Sequence, residues 1–225
     1  MMEFTLSKIN LLILAIALFV IIAQFAFWMK DKVISDISAN IAESTIRVVS
    51  STVDTKALCD RHYIPFKRKY TLYDIIDFYY VVELRSEKTK DELSHIVVSI
   101  IERNEYLRKR DEATIMHSSA RDLNAKVQIF SYLPEIGEPC PTERFVVDVR
   151  SAPSPLDMVV VVKETFKGED YIYLVPCSSQ VKGMCERNVM RVGCYIYRKR
   201  NEGSNCFDVD VSNCLSAPVP SCWGG

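Results

Sequence analysis

The chain is poor in the residues that build small-molecule sites. It has seven glycines and three histidines in 225 residues. It carries no Gly-x-Ser-x-Gly elbow, no phosphate-binding glycine loop, no dinucleotide turn and no His-Glu-x-x-His pair. Those absences remove the common hydrolase, nucleotide-binding and zinc-protease classes. Net charge is also missing, at −1 for the whole chain. Beyond residue 59 there are 23 basic and 24 acidic side chains, a balance that argues against a nucleic-acid partner. No Asn-x-Ser/Thr acceptor and no Cys-x-x-Cys pair occur, which removes thioredoxin-like redox chemistry. The chain reads as a non-enzyme that needs no cofactor and no metal.

What is abundant is apolar sequence at the N-terminus. Residues 9–29, INLLILAIALFVIIAQFAFWM, are twenty-one positions without a charge, between Lys8 and Lys30. As a helix they would cover about 30 Å, the thickness of a bilayer's hydrocarbon core. Bulky residues (Phe25, Phe27, Trp28) fill the positions where a signal peptidase needs small ones, so the segment reads as an uncleaved anchor. Trp28 and Phe27 stand at its exit end, where rings favour the headgroup layer. Flanking charges are nearly balanced and do not orient it.

The cysteines do. Cys59, Cys140, Cys177, Cys185, Cys194, Cys206, Cys214 and Cys222 are even in number, and six crowd the last quarter of the chain. Zinc sites usually bring close Cys-x2–4-Cys pairs, which are missing here, and Cys59 with His62 is the sole close Cys/His pair, so a disulfide framework is the expectation. Disulfides need an oxidising compartment. The N-terminus is therefore expected in the cytoplasm and the remainder outside, on a single-pass cell-membrane protein.

No Pro or Gly interrupts the chain from the anchor to Pro65, and Val33, Ile34, Ile37, Ile41 and Val48 recur at helical spacing. One helix is expected over 4–53, apolar all round first and amphipathic afterwards. The expected organisation is an anchor at 1–30, a stalk at 31–58, a globular domain at 59–200 and a Cys-rich loop tail at 201–225. A heptad stripe runs along the helix through Glu3, Asn10, Ala17, Gln24, Asp31, Ser38, Thr45 and Thr52, each polar or small. In lipid, small residues allow close approach and Asn or Gln bonds between helices, so Glu3, Asn10, Ala17 and Gln24 are candidate association residues. Membrane lipid and further copies, or other membrane proteins, are the expected partners.

The segment FTLSKINLLILAIALFVI at 4–21 resembles the start of mature type IV pilins and archaeal pilin-like proteins. The resemblance implies a helix whose second half packs on a C-terminal sheet, a disulfide-closed end, and a structural or assembly role at the cell surface. Two departures stand out. Met1, Met2 and Glu3 precede Phe4 where a pilin leader ends in Gly or Ala, and Lys8 occupies the usual glutamate position. Glu3 and Lys8 would then form an alternative charge pair between staggered helices. The other reading is a lone anchored ectodomain, an adhesin, receptor or envelope-complex binding module.

The globular part is expected to be α+β, a mainly antiparallel sheet with helices on one side. Strands are expected at 73–84, 126–133, 144–150 and 189–198, with a hairpin of 158–166 and 171–176 about Lys167 and Gly168. A capping box, Thr89 to Glu92, predicts a helix carrying Leu93, Ile96, Val97, Ile100, Ile101 and Leu107 on one face. Asp74 and Asp77 are the nearest thing to a paired-carboxylate site, but on a strand they diverge and carry no catalysis. His95 and His117 are expected at the surface. Basic triplets at 67–69, 108–110 and 198–200 read as separate solvated clusters.

Overall fold

The computed structural model describes residues 2–72, 76–88, 94–132, 139–150, 156–181, 183–202 and 222–223. Helix α1, Met2–Asp54, runs for 53 residues without a break. Among the described residues eleven strands follow: β1 Cys59–Pro65, β2 Tyr70–Leu72, β3 Ile76–Phe78, β4 Tyr80–Lys88, β5 Ser94–Glu102, β6 Ile115–Leu123, β7 Lys126–Tyr132, β8 Pro139–Thr142, β9 Arg144–Val147, β10 Met158–Phe166 and β11 Glu169–Cys177. Helix α2 (Arg103–Lys109) and a 3-10 turn (Arg110–Glu112) lie between β5 and β6, and helix α3 (Met184–Glu202) follows β11. The fold is α+β. Among the described strands pairing is antiparallel except between β7 and β11, which run parallel.

The strands form a five-stranded sheet, β1-β10-β11-β7-β8, a four-stranded sheet, β6-β5-β4-β9, and the small β2-β3 ribbon. Alternation along β10 explains the layering. Val159 and Val161 join the core shared with α1 and the four-stranded sheet. Val160 and Val162 face the opposite way, into a second core with α3, Cys222 and Trp223. A strand buried on both faces reads as the unbroken Val159–Val162 run rather than as alternation. The five-stranded sheet is therefore the middle layer, with helices on both of its sides rather than the one expected.

The second half of α1 is an interior element. Ile34, Ile41, Ala42, Ile46, Val49 and Val53 are buried against the sheets, each large side chain contributing roughly 1.5–3 kcal/mol. Its C-terminal end is held by Lys163 of β10, only 3% exposed. The Lys163 ammonium donates to the carbonyls of Val53 and Thr55, both at 2.7 Å, and pairs with Asp170 at 3.1 Å. A buried cation on the last carbonyls of a helix satisfies acceptors that have no partner within it.

Two expected elements change type. The predicted helix after Thr89 is strand β5, antiparallel to β4 from Lys88↔Ser94 to Tyr80↔Glu102. Its apolar positions fit periods of 3.6 and 2 alike. Ile and Val, stiff at χ1, favour the pleated arrangement, and Ile96, Val98 and Ile100 point into the first core. Residues 89–93, with the capping box, lie outside the described set. Conversely, the strand expected at 189–198 is part of α3, whose buried Val189, Val192, Tyr195 and Ile196 follow helical spacing. His95 consequently lies on β5 and His117 on β6, not on a helix and in a loop.

Candidate anchoring and assembly surface

Helix α1 divides at about residue 33. Before it, large apolar side chains stand free of the rest of the chain: Leu11 is 69% exposed, Leu14 70% and Phe19 73%. After it, the same helix is core. The helix is long and apolar enough to cross a membrane. Asn10, Ala17 and Gln24 are exposed within this bare half, while the side chain of Glu3 lies outside the described set. Lys32 lies over the Trp28 ring at 5.4 Å, at the point where the apolar run gives way to charge.

The heptad stripe has a second role that sequence reading missed. Ser38, Thr45 and Thr52 are fully buried against the sheets. Their hydroxyls donate to the carbonyls of Ile34, Ile41 and Val48, four residues back, each at 2.8 Å. Small side chains that satisfy themselves on the helix backbone let α1 sit close to the strands. A straight α-helix drifts about 20° per heptad. Gln24 is thus turned about 40° from Ser38 and Asn10 about 80°, so the upper stripe serves packing within the chain and the lower stripe is bare.

The cysteines fulfil the disulfide expectation in part. Cys59 of β1 is bonded to Cys222, and Cys177 at the end of β11 to Cys185 on α3. Cys194 is also disulfide-bonded. Cys140 stands in β8 opposite Ser131, and Cys206 and Cys214 fall outside the described residues. The Cys222 bond delivers Trp223 to the second core, where it is 1% exposed and its ring centroid lies 5.0 Å from that of Tyr173. Arg61 of β1 donates to the Cys222 carbonyl at 2.7 Å. Gly193 makes the space: a Cβ there would overlap the Trp223 ring.

The candidate chemical groups do not converge. Asp74 lies outside the described residues. Asp77 is committed to Lys69 at 2.8 Å, Thr71 at 2.9 Å and Tyr79 at 2.9 Å. The Lys69 ammonium, helped by the two hydroxyls, pulls its carboxyl down to about 2. His95 pairs with Asp122 at 2.7 Å on the surface, and His62 with Asp60 at 3.1 Å. Glu83, one of the buried carboxylates, accepts from Arg85 at 2.8 Å and Arg144 at 2.6 Å, and Arg144 also pairs with Asp111. That network ties β4, β9 and the 3-10 turn together. Among the described residues no group of three His, Cys, Asp or Glu side chains could hold a metal ion. An open polar groove of about 320 Å³ runs beside α1, lined by Asn40, Ile41, Glu43, Ser44, Arg47 and Tyr70.

No protein-family profile, no curated protein and no solved structure matches the chain.

Proposed function

We propose that the protein is a membrane-anchored structural or assembly subunit of pilin-like type, with its folded head outside the cytoplasm and its bare half-helix associating with neighbouring copies or other membrane proteins. One observation carries the reading: a single unbroken helix whose first half is apolar and free, and whose second half is core to the head. An anchor tied on by a flexible linker would not need that continuity. The disulfides support an oxidising compartment for the head. The layout, a long N-terminal helix laid on sheets and a C-terminal segment closed by a disulfide, matches what the pilin resemblance implies.

Association is tested by Asn10→Leu together with Gln24→Leu. Each interhelical amide bond in lipid is worth about 0.6–2 kcal/mol, so losing two should lower crosslinking between neighbouring copies in native membranes at least about sevenfold. Unchanged crosslinking removes these residues from the interface and leaves the anchored ectodomain as the better reading. Mass spectrometry of the mature N-terminus adds an independent test, since processing before Phe4 belongs to the pilin pathway and an intact Met1 or Met2 to the lone anchor.

A further inference from the structure

One face of α1 stays bare along the head, and an ordered loop of opposite charge stands beside it. Asp36, Asn40, Glu43 and Arg47 recur at helical spacing, so they share a side of the helix, and all are exposed. The open polar groove lies on this side, and Tyr70 of β2 lines it from across the helix. The basic loop Lys67, Arg68, Lys69 leads straight into Tyr70. That loop is held in place. The Tyr80 hydroxyl donates to the Lys67 carbonyl at 2.8 Å, and the Phe66 amide donates to the Asp157 carbonyl at 2.8 Å. The Lys67 ammonium lies 5.3 Å from the centre of the Tyr70 ring, at the edge of the groove.

The charges on the two walls are unmatched within the chain. Lys69 is engaged by Asp77, but Lys67 and Arg68 are exposed and paired with no carboxylate among the described residues. On the helix, Glu43 and Arg47 stand one turn apart in the order at which such residues usually pair. Among the described residues neither of them, nor Asp36, has an ion pair or a side-chain hydrogen bond. Counting Arg47, the helix wall carries a net −1 and the loop wall +2.

We propose that this groove face is a contact between two copies of the chain, related by a two-fold axis parallel to α1, with Glu43 of each copy meeting Lys67 and Arg68 of the other. The inference rests on the anchored assembly reading above and names where the heads meet. A half-turn about that axis sets each helix opposite the neighbour's loop and changes no height. Equal height is what a shared membrane imposes on copies whose span runs into the head without a linker. The levels agree. Tyr70 meets the helix between Asn40 and Arg47, a rise of about 10 Å, so the loop leading into it is level with Glu43. Asp36, two turns lower on the same face, adds to the negative sign that the loop meets. Gln24 lies about 100° around the helix from Glu43, which leaves the anchor stripe free for a different neighbour.

The test uses the full chain in native membranes, with the photocrosslinking amino acid p-benzoylphenylalanine at Asn40 and two distinguishable tags on co-expressed copies. Irradiation should give an adduct that joins the two tags. Glu43→Lys in every copy, or Lys67→Glu with Arg68→Glu in every copy, sets like charges opposite each other and should lower that adduct at least about fivefold. Co-expressing one variant of each kind restores opposite charges at both contacts. The adduct between their tags should then return to within about twofold of the natural chain's. Loss in both variants without that recovery overturns the inference, as does an Asn40 adduct with a different protein alone. The same crosslinker at Trp28, one turn from Gln24, reads the anchors. An adduct there with none at Asn40 overturns the head contact and leaves the assembly reading standing, whereas none at either position overturns both.

Discussion

Single side chains carry unusual weight here. Lys163 follows directly on a run of four valines, and its ammonium is the cap on α1. Lys163→Met keeps the bulk and removes the donor. Hydrogen bonds to a charged group are worth about 1.5–3 kcal/mol, so denaturant unfolding of the variant should show a loss of about 2–3 kcal/mol, with amide exchange rising first at residues 50–55. Gly193→Ala addresses the opposite core, where the Trp223 ring occupies the space a methyl would need. Overpacking of this kind costs about 1–3 kcal/mol, and near-ultraviolet circular dichroism should lose the signal of an immobilised indole. Asp77 supplies a pH effect. Its folded carboxyl titrates at about 2, below the ordinary 3.8. Its contribution is therefore complete above about pH 4 and disappears as pH falls toward 2. Exchange of the β2-β3 amides should accelerate across that window, and Asp77→Asn should abolish the dependence.

At the scale of elements, legibility tracked how many periods a segment could satisfy. The helix from Met2 to Asp54 was readable nearly to its ends because a long stretch free of Pro and Gly admits little else. The β10-β11 hairpin was readable because Lys167 and Gly168, both at positive φ, mark the turn between two β-branched runs. Segment 94–102 was misread because its apolar residues suit a helix face and a pleated face alike, while the expected helix is found only at its end, in α2. What decided it was β4, a partner supplied by other residues. Segment 189–198 failed in the mirror sense: its valines and tyrosines look like a strand until α3 is seen lying on the five-stranded sheet, with Cys185 bonded to Cys177 near its start. The candidate surface was half legible. The bare apolar half-helix announces itself, but the buried service of Ser38, Thr45 and Thr52 needed the strands they pack against.

Across the whole molecule the two identified bridges differ in reach. Cys59 and Cys222 are 163 residues apart, Cys177 and Cys185 only 8. Chain-entropy arguments assign at most about 5 kcal/mol to the first closure and about 2.5 kcal/mol to the second. Replacing both Cys59 and Cys222 by serine should therefore lower stability about twice as much as replacing Cys177 and Cys185, in matched denaturant melts. The first change should also release Trp223, seen as a red-shifted emission that the second change does not produce. Equal losses with no spectral shift would mean that the second core holds the tail without its covalent tie.

The lysine that secures α1 is encoded 110 residues after the carbonyl it holds. A ribosome moving at about 5–20 residues per second reaches it roughly 6–22 s later. For the first part of that interval the amphipathic half of the helix has left the ribosome with Ile34, Ile41, Ile46 and Val49 uncovered, because β5 and β6, on which it packs, end only at Glu102 and Leu123. The helix therefore gains its cover in two stages, first from β5 and β6 and only later from the lysine that fastens its end.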